Sequence, residues 1–504
     1  MAAASSSLVM SMMVIISHRR PPRESEAARP AGVNLAGRSL AREQTLFMTN
    51  AATIADAPVY DPRTLALLNA PLGSLVLRMA WPNLAVMLLQ ASTGLIETWW
   101  IGHLGPDALA GMALVFPPVM LMQMLSVGAM GGGVSSAIAR ALGGGRRDDA
   151  DRIAFHGIVL FAAIGLGFSA LMLLLGEPIY RMLGARDGVL EAALAYSDVV
   201  FTFNVLLWCM NALASALRGT GDMLTPAGVV LFGVALLIPL SPLLIYGYGP
   251  MPGLGVAGGG LVIAVFNAFG LGFLAWYVLS GRAVVRLKPC RLEARVFGEI
   301  FRVGALASLT SIQTNLIFIV VTAIVGHAAG PGALAGYGVG ARLEYLLIPI
   351  AFGFGAPLVP IVGANVGAGA IDRARRAAFV GAGFAFLAAE TIGVAAALFP
   401  AAWLKLFGAE PALVEVGSSY LRIVGPVFGC FSFGMALYFA SQGAGRLAKP
   451  LAVSLARTAV AIGGAVLAAS LGSLTGVFVS IALAIVIYGA AMAWIVWTAD
   501  WRPG

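Results

Sequence analysis

The chain contains two copies of one sequence pattern, and this duplication limits the folds that it can adopt. Most matched positions are 224 residues apart, and one run matches at 225 because the second copy has gained a residue. The matches include Tyr196 with Tyr420, Gly102-His103 with Gly326-His327, Gly184-Ala185 with Gly408-Ala409, Gly219 and Gly221 with Gly443 and Gly445, Pro226 with Pro450, and Ala108–Gly111 with Ala333–Gly336. A repeat of this length predicts a fold built from two similar halves.

The composition indicates that lipid is the solvent for most of the chain. Hydrophobic residues make up 60% of the 504 residues and charged residues only 11%, which is more apolar surface than a soluble protein can bury. Apolar runs of about 20 residues occur six times in each half, and only α-helices satisfy their own backbone hydrogen bonds over such runs. We therefore predict an all-α membrane protein with twelve transmembrane helices, and duplicated membrane proteins of this kind are typically secondary transporters.

The same runs divide the chain into four parts. We expect residues 1–70 to be a disordered N-terminal extension, because residues 17–63 are rich in Arg, Pro, Ser and Glu and lack periodicity. Met48 is the expected native start within this extension. An N-lobe (71–280), a cytoplasmic linker (281–300) and a C-lobe (301–498) follow. Six spans return the chain to its starting side, so the lobes are predicted to be parallel repeats about a pseudo-twofold axis.

The positive charge of the chain gives its orientation in the membrane. The formal net charge is +8, and sixteen Lys and Arg residues lie in one set of connectors against three in the other. Positively charged connectors remain in the cytoplasm, which places the N- and C-termini there. The charge is thus an insertion signal, and we expect no nucleic-acid partner.

Glu97 is the strongest candidate for a functional residue inside a span. Burying a carboxyl in hydrocarbon is costly, and such residues commonly carry protons or line ion paths. Glu97 can exchange a proton near neutral pH, or it can bind Na⁺ together with oxygens of Gln90 and Thr98. A structural acid bonded to a neighbouring helix is the alternative. Pro82 in the same helix removes a backbone hydrogen bond, so helix 1 is expected to bend there, either permanently or on protonation of Glu97.

Other polar positions give weaker candidates. Glu344 in the eighth span is a second candidate for cation contact, against a structural role. Asp198 and Arg422 occupy equivalent repeat positions, and we expect them either to form an ion pair between the lobes or to pair locally. His103 and His327 are also equivalent, but two histidines in separate turns do not predict a metal site.

Several motifs resemble those of the multidrug and toxic compound extrusion (MATE) family. They are the run Ile96–Gly111, the turn Ala141–Arg147, Leu217–Asp222 with Pro226, and Gln442–Gly445 with Pro450. The likeness covers about residues 71–498. It implies twelve helices in two six-helix bundles forming a V, and export of organic cations against inward H⁺ or Na⁺. The chain looks closer to the DinF-like branch, whose members carry an acid on helix 1 where Glu97 stands.

The sequence departs from the family pattern in two places. In helix 5, Leu237 and Ser241 stand where many relatives have an Asn and an Asp. The helix-7 acid of NorM-like members is also missing, and that neighbourhood contains Gln313 and Asn315. These losses remove oxygen ligands, and a Na⁺ site needs several of them, whereas a proton carrier needs only one carboxyl. H⁺ coupling through Glu97 is therefore favoured. Ser241, Gln313 and Asn315 remain candidate cation or substrate contacts.

These observations define the expected function and its alternatives. We expect a monomeric antiporter in a bacterial inner membrane that exports small, lipophilic organic cations, with lipid as its surroundings and no cofactor beyond the coupling ion. A flippase for lipid-linked saccharides has a similar architecture, but it would need several basic residues in its cavity. A membrane enzyme would need clustered acids or histidines, or a nucleophile with a base, and the sequence contains no such cluster.

Overall fold

The computed structural model describes residues 60–249, 251–408 and 410–502, except for the side chains of residues 90–93, 95, 251 and 328–331. Residues 1–59, and with them Met48, lie outside this part. The described residues contain eleven helices long and apolar enough to cross a membrane, and a pair of helices bent by 45° supplies a twelfth. The predicted all-α membrane fold is therefore confirmed.

We number the membrane helices span 1 to span 12 in chain order. Spans 1–6 are Leu72–Gly102, Pro106–Gly143, Arg147–Met182, the bent pair Asp187–Thr202 and Asn204–Gly219, Leu224–Tyr246 and Val256–Leu279. Spans 7–12 are Ala294–His327, Gly332–Gly367, Ile371–Leu398, Pro411–Gly443, Ala448–Ser470 and Leu474–Thr498. Spans 7 and 8 belong to one continuous helical stretch, Ala294–Gly367. Short helices at Pro62–Asn69 and Pro400–Leu404 and a two-stranded hairpin, Gly247–Tyr248 with Met251–Pro252, complete the described elements.

The two halves share an irregularity as well as their helix order. Span 4 bends at Phe203, between its two helices. Span 10 breaks into a 3₁₀ turn at Gly425–Val427, and Val427 is the repeat equivalent of Phe203. In span 10 the break is favoured by Pro426, which cannot donate a backbone hydrogen bond. Since span 4 bends without proline, the bend belongs to the fold of the repeat rather than to one residue.

The two bundles meet at the arginine-rich ends of their helices, which we call the basic face. The second half of span 2 packs there against spans 7, 8 and 10 with glycines at the closest approaches. Any side chain at Gly143 would overlap the backbone of Ala364, and one at Gly132 would overlap Gln442. Arg140 also crosses between the bundles: Nη1 donates to the carbonyl of Gly443 over 3.1 Å, and Nη2 pairs with Glu299 over 2.9 Å. The bundles are therefore closed against each other at this face.

The prediction of a disordered extension up to residue 70 is wrong for its last ten residues. Helix Pro62–Asn69 begins at Asp61, whose carboxylate accepts from the backbone N–H groups of Arg63 and Thr64 over 2.9 and 3.1 Å. Arg63 pairs with Asp222 over 2.8 Å, and Asn365 donates to the carbonyl of Leu67 over 3.1 Å. Eight residues are too few for a periodic signal, and this helix is stabilised by contacts with both halves.

The predicted pair between Asp198 and Arg422 does not form in this structure. Both side chains are exposed, and no ion pair within the described ranges joins them. Both residues lie on the halves of spans 4 and 10 that are remote from the basic face. The bundles approach each other at the basic face, so equivalent positions elsewhere on the repeat are not brought together.

Gly143 gives a test of the closure at the basic face. We expect Gly143→Val to reduce the population closed at this face, because a Cβ atom at residue 143 has no space beside the Ala364 backbone. Distances between spin labels on the two bundles, measured by double electron–electron resonance, should show this loss. Gly167→Val is the matched control, since the space around Gly167 is open. An unchanged distance distribution in Gly143→Val would contradict this description of the contact.

Candidate functional site

Glu97 lies in span 1, toward the end opposite the basic face, and is buried with 7% of its surface exposed. Its Oε1 accepts a hydrogen bond from the hydroxyl of Tyr196 in span 4 over 2.8 Å. Gly259 of span 6 lies beside it, and a Cβ there would come 3.5 Å from Oε1 and still closer to Ile101. The glycine thus lets span 6 approach the carboxyl closely. Among the described ion pairs, none involves Glu97.

A cavity of about 1000 Å³ runs from Glu97 into the N-lobe. Its wall is mainly apolar, with Met112, Met120 and Phe116 from span 2 and Phe266 from span 6. Methionine side chains are flexible and polarizable, and they adapt to ligands of different shape. We call this space the Glu97 cavity. An ionisable group at the edge of an apolar cavity is the arrangement expected of a site for small amphipathic molecules.

Two of the candidate cation or substrate contacts form hydrogen bonds within their own helices. Thr98 is exposed, and its hydroxyl donates to the carbonyl of Gly94 in its own helix over 2.7 Å. Ser241 is buried, and its hydroxyl donates to the carbonyl of Leu237 over 2.9 Å. The side chain of Gln90 lies outside the described residues. Span 1 continues as a helix through Pro82, so a change of bend there stays a prediction.

Glu344 occupies a separate site in the C-lobe. Its side chain is 3% exposed, and its Oε2 accepts from the hydroxyl of Tyr420 over 2.6 Å. Arg457 of span 11 lines the same small cavity of about 280 Å³ and lies over the rings of Phe431 and Tyr488 at 4.8 and 5.3 Å. In each lobe, therefore, a buried carboxyl accepts a hydrogen bond from the equivalent tyrosine. The carboxyl comes from span 1 in the N-lobe and from span 8 in the C-lobe.

The remaining candidates lie near the space between the lobes. Asn315 lines a cavity of about 1310 Å³ to which both bundles contribute, with Gln123 from the N-lobe and Thr314 and Tyr438 from the C-lobe. Gln313 points the other way, and its amide donates to the Ser454 carbonyl and to Thr458 in span 11. The structure thus brings Asn315, but neither Gln313 nor Glu344, to the wall of this central cavity.

Sequence reasoning missed the partners of both carboxyls. Tyr196 and Tyr420 were evident only as a repeated pair, and a repeated tyrosine inside two apolar spans is the signal that could have identified them. Asn267 in span 6 also lines the Glu97 cavity, and its Oδ1 is buried without a hydrogen-bond partner. A lone asparagine in an apolar run is costly enough to mark a site. Within the part of the chain that the structure describes, no three His, Cys, Asp or Glu residues could hold a metal ion.

Known proteins resemble the chain along most of its length. The sequence profile of the MatE family matches residues 82–243 and 307–467, which together exceed half of the chain. A FAD transporter from Shewanella oneidensis is 27% identical over 74% of this chain and 82% of its own length. The probable multidrug resistance protein NorM of Thermotoga maritima is 26% identical over 73% of this chain and 78% of its own. The multidrug export protein MepA of Staphylococcus aureus is 26% identical over 70% and 78%.

Solved structures show the same fold. A MOP superfamily transporter from Pyrococcus furiosus superposes with a TM-score of 0.79 at 24% identity, covering 87% of this chain and 98% of that one. A MATE structure in the bent conformation gives 0.80 at 24% identity over 87% and 97%. At this identity the likeness establishes the twelve-helix, V-shaped fold alone.

The C-lobe site predicts a coupling between Glu344 and Arg457. We expect Arg457→Met to lower the free energy of unfolding by about 1 to 2 kcal/mol, because the buried carboxyl loses the positive charge that shares its cavity. The double variant with Glu344→Gln should recover most of this loss, since it leaves no uncompensated charge. Thermal unfolding in detergent measures both. A double variant as unstable as Arg457→Met would show that the two groups do not interact.

Proposed function

Since this chain belongs to the MATE family, we propose that it is an antiporter that exports amphipathic organic compounds, lipophilic cations among them, in exchange for protons. Its membership makes it a multi-pass membrane transporter of small molecules and not an enzyme. The proton coupling and the substrate charge are our inference. The observation that supports the coupling most is Glu97, a buried carboxyl at the edge of a large cavity with a tyrosine hydroxyl as its hydrogen-bond partner.

The surroundings of Glu97 favour H⁺ over Na⁺ as the coupling ion. A bound metal cation needs several oxygen ligands. Among the described residues of the Glu97 cavity wall, Glu97 is the single carboxylate, and the other side-chain oxygens there are neutral, such as the hydroxyl of Tyr196 and the amide of Asn267. A proton needs only the carboxyl itself. Protonation removes its negative charge and weakens the bond from Tyr196, since hydrogen bonds to an ionised acceptor are roughly twice as strong as neutral ones.

Alternating access follows from this local change. We infer that the basic face is cytoplasmic, so the described state is closed toward the cytoplasm. A proton that enters from the outside neutralises Glu97 and weakens the contact between span 1 and span 4. Span 1 can then bend at Pro82. This bend narrows the Glu97 cavity and releases the substrate. Proton loss to the inside then restores the site for the next substrate. Each state is favoured by one form of the carboxyl, as a coupled exchange requires.

The substrate class has two candidates. The adaptable, apolar wall of the Glu97 cavity favours lipophilic drugs, and an ionised Glu97 would attract cations. The multidrug export protein MepA and the probable multidrug resistance protein NorM among the relatives support this class. The relative that is a FAD transporter makes flavin nucleotides the second candidate. The saccharide flippase is the weaker alternative, because the Glu97 cavity has no basic residue among the described residues of its wall.

Substitution of Glu97 tests the coupling. In proteoliposomes under a proton gradient, we expect Glu97→Gln to reduce ethidium transport at least about tenfold, because the amide cannot take up the proton. A Na⁺ gradient alone should drive no transport by the wild type. Glu191→Gln, which changes an exposed glutamate of span 4, is the matched control and should transport normally. Full proton-driven transport by Glu97→Gln, or transport driven by Na⁺ alone, would contradict the proposal.

A further inference from the structure

Arg218 lies near the end of span 4 at the basic face, on the wall of a second cavity in the N-lobe. This space has an empty volume of about 980 Å³, and we call it the Arg218 cavity. Arg218 is the single charged residue among the described residues of its wall. The other polar side chains of this wall are neutral and belong to Asn83, Ser135, Asn211 and Gln442. A guanidinium is always ionised, so the cavity contains a fixed positive charge.

The charge of Arg218 is not neutralised by the protein. Its Nη2 donates to the hydroxyl of Ser215 over 2.8 Å, and no carboxylate of the described residues lies within ion-pair distance. Asp222 is close in sequence, but its carboxylate pairs with Arg63 over 2.8 Å and accepts from Thr225. A guanidinium has five N–H donors, so most of those of Arg218 remain available to a ligand. Holding an unpaired charge in a half-buried position is costly, so Arg218 on this cavity wall is a candidate contact for a ligand.

The repeat shows that the local fold does not need this arginine. The equivalent residue in the C-lobe is Gln442, and both copies end in the same turn, with φ +85° at Gly221 and +72° at Gly445. Gln442 lines the same cavity from the other bundle, and its Oε1 is buried without a hydrogen-bond partner. A basic residue in the last turn stabilises a helix by at most about 1 kcal/mol, through its interaction with the helix dipole. This stabilisation does not require a cavity beside the residue.

The Arg218 cavity is placed where a cytoplasmic substrate would enter. Part of its wall comes from the C-lobe, through Phe352, Val359 and Gln442, so separation of the bundles at the basic face would expose Arg218. The cavity also shares residues with the Glu97 cavity, among them Met210 and Phe266. Tyr196, which bonds Glu97, and Arg218 are 22 residues apart in span 4, which corresponds to about 33 Å along the bent helix at a rise of about 1.5 Å per residue. Glu97 and Arg218 cannot neutralise each other at that distance.

We propose that Arg218 and the cavity around it form a binding subsite for an anionic group, a carboxylate or phosphate, on a transported amphipathic compound. The inference rests on the proposed transport function and extends it, since the substrates then include molecules with a negative group and are not confined to cations. The anionic group pairs with the guanidinium, and the apolar body lies against Met210 and Phe266. Desolvated charge-assisted hydrogen bonds of this kind give both orientation and selectivity.

Two ligands of the same shape provide the test. 1-Naphthoate and 1-naphthamide differ in their negative charge, and their affinities for the purified full chain in detergent can be measured by isothermal titration calorimetry. We expect naphthoate to bind at least about tenfold more tightly than naphthamide, as for one charge-assisted contact. Arg218→Gln should remove this difference, and Arg218→Lys should retain part of it. Arg446→Gln is the control: it removes an exposed arginine of the same face outside the cavity wall.

Each outcome has a definite meaning. Equal affinity of the two ligands for the wild type, or an unchanged preference in Arg218→Gln, would overturn the anion subsite while leaving proton-driven transport of ethidium unaffected. Loss of the preference in Arg446→Gln as well would reduce the effect to general surface charge and would also overturn it. Displacement of naphthoate by phosphatidylglycerol, but not by phosphatidylcholine, would assign Arg218 to a lipid headgroup instead of a substrate. Because binding needs no ion gradient, failure of the coupling through Glu97 would leave this result intact.

Discussion

The hydrogen bond between Tyr196 and Glu97 is the interaction on which the proposed function depends. It joins span 1 to span 4 inside the N-lobe, where Glu97 is buried and a carboxylate without a hydrogen-bond partner would be costly. The bond partly offsets that cost, but it leaves the carboxyl without a positive partner among the described residues. The group can therefore change its charge without breaking an ion pair, which is the property needed in a carrier of protons.

Duplication and divergence explain the contrast between the lobes. Equivalent tyrosines bond a carboxyl in both halves, so this feature belongs to the shared fold. In the C-lobe, Arg457 accompanies the carboxyl and the cavity around it is small, an arrangement suited to holding helices together. In the N-lobe, the described residues around the Glu97 cavity include no arginine, and this cavity is several times larger than the one beside Glu344. The same scaffold thus supports a structural site in one lobe and a site open to ligands in the other.

Sequence patterns predicted the membrane helices because long apolar runs reflect a local requirement, the thickness of the bilayer. They also singled out Glu97, since a charge in such a run is conspicuous. Contacts between helices could not be predicted from the sequence in the same way. Nothing in the sequence shows that Thr98 bonds its own helix, that Gln313 faces span 11, or that Asp198 lies remote from Arg422, because each depends on helix rotation and bundle separation. The helix Pro62–Asn69 was missed since its stability comes from docking rather than from its own eight residues.

The closure at the basic face has the energetic character that a reversible gate requires. Glycines bring the two backbones together there, so the bundles can separate without repacking large interlocked side chains. The ion pair across the contact involves Glu299, whose side chain is 43% exposed, and pairs of this kind contribute about 0–1 kcal/mol. The closed state therefore depends mainly on the close packing of small residues, a favourable contact between helices in a membrane, and not on the ion pair. In the proposed cycle, protonation of Glu97 contributes about 1.4 kcal/mol for each unit by which its pKa differs between the two states, and this is the energy that shifts the balance between them.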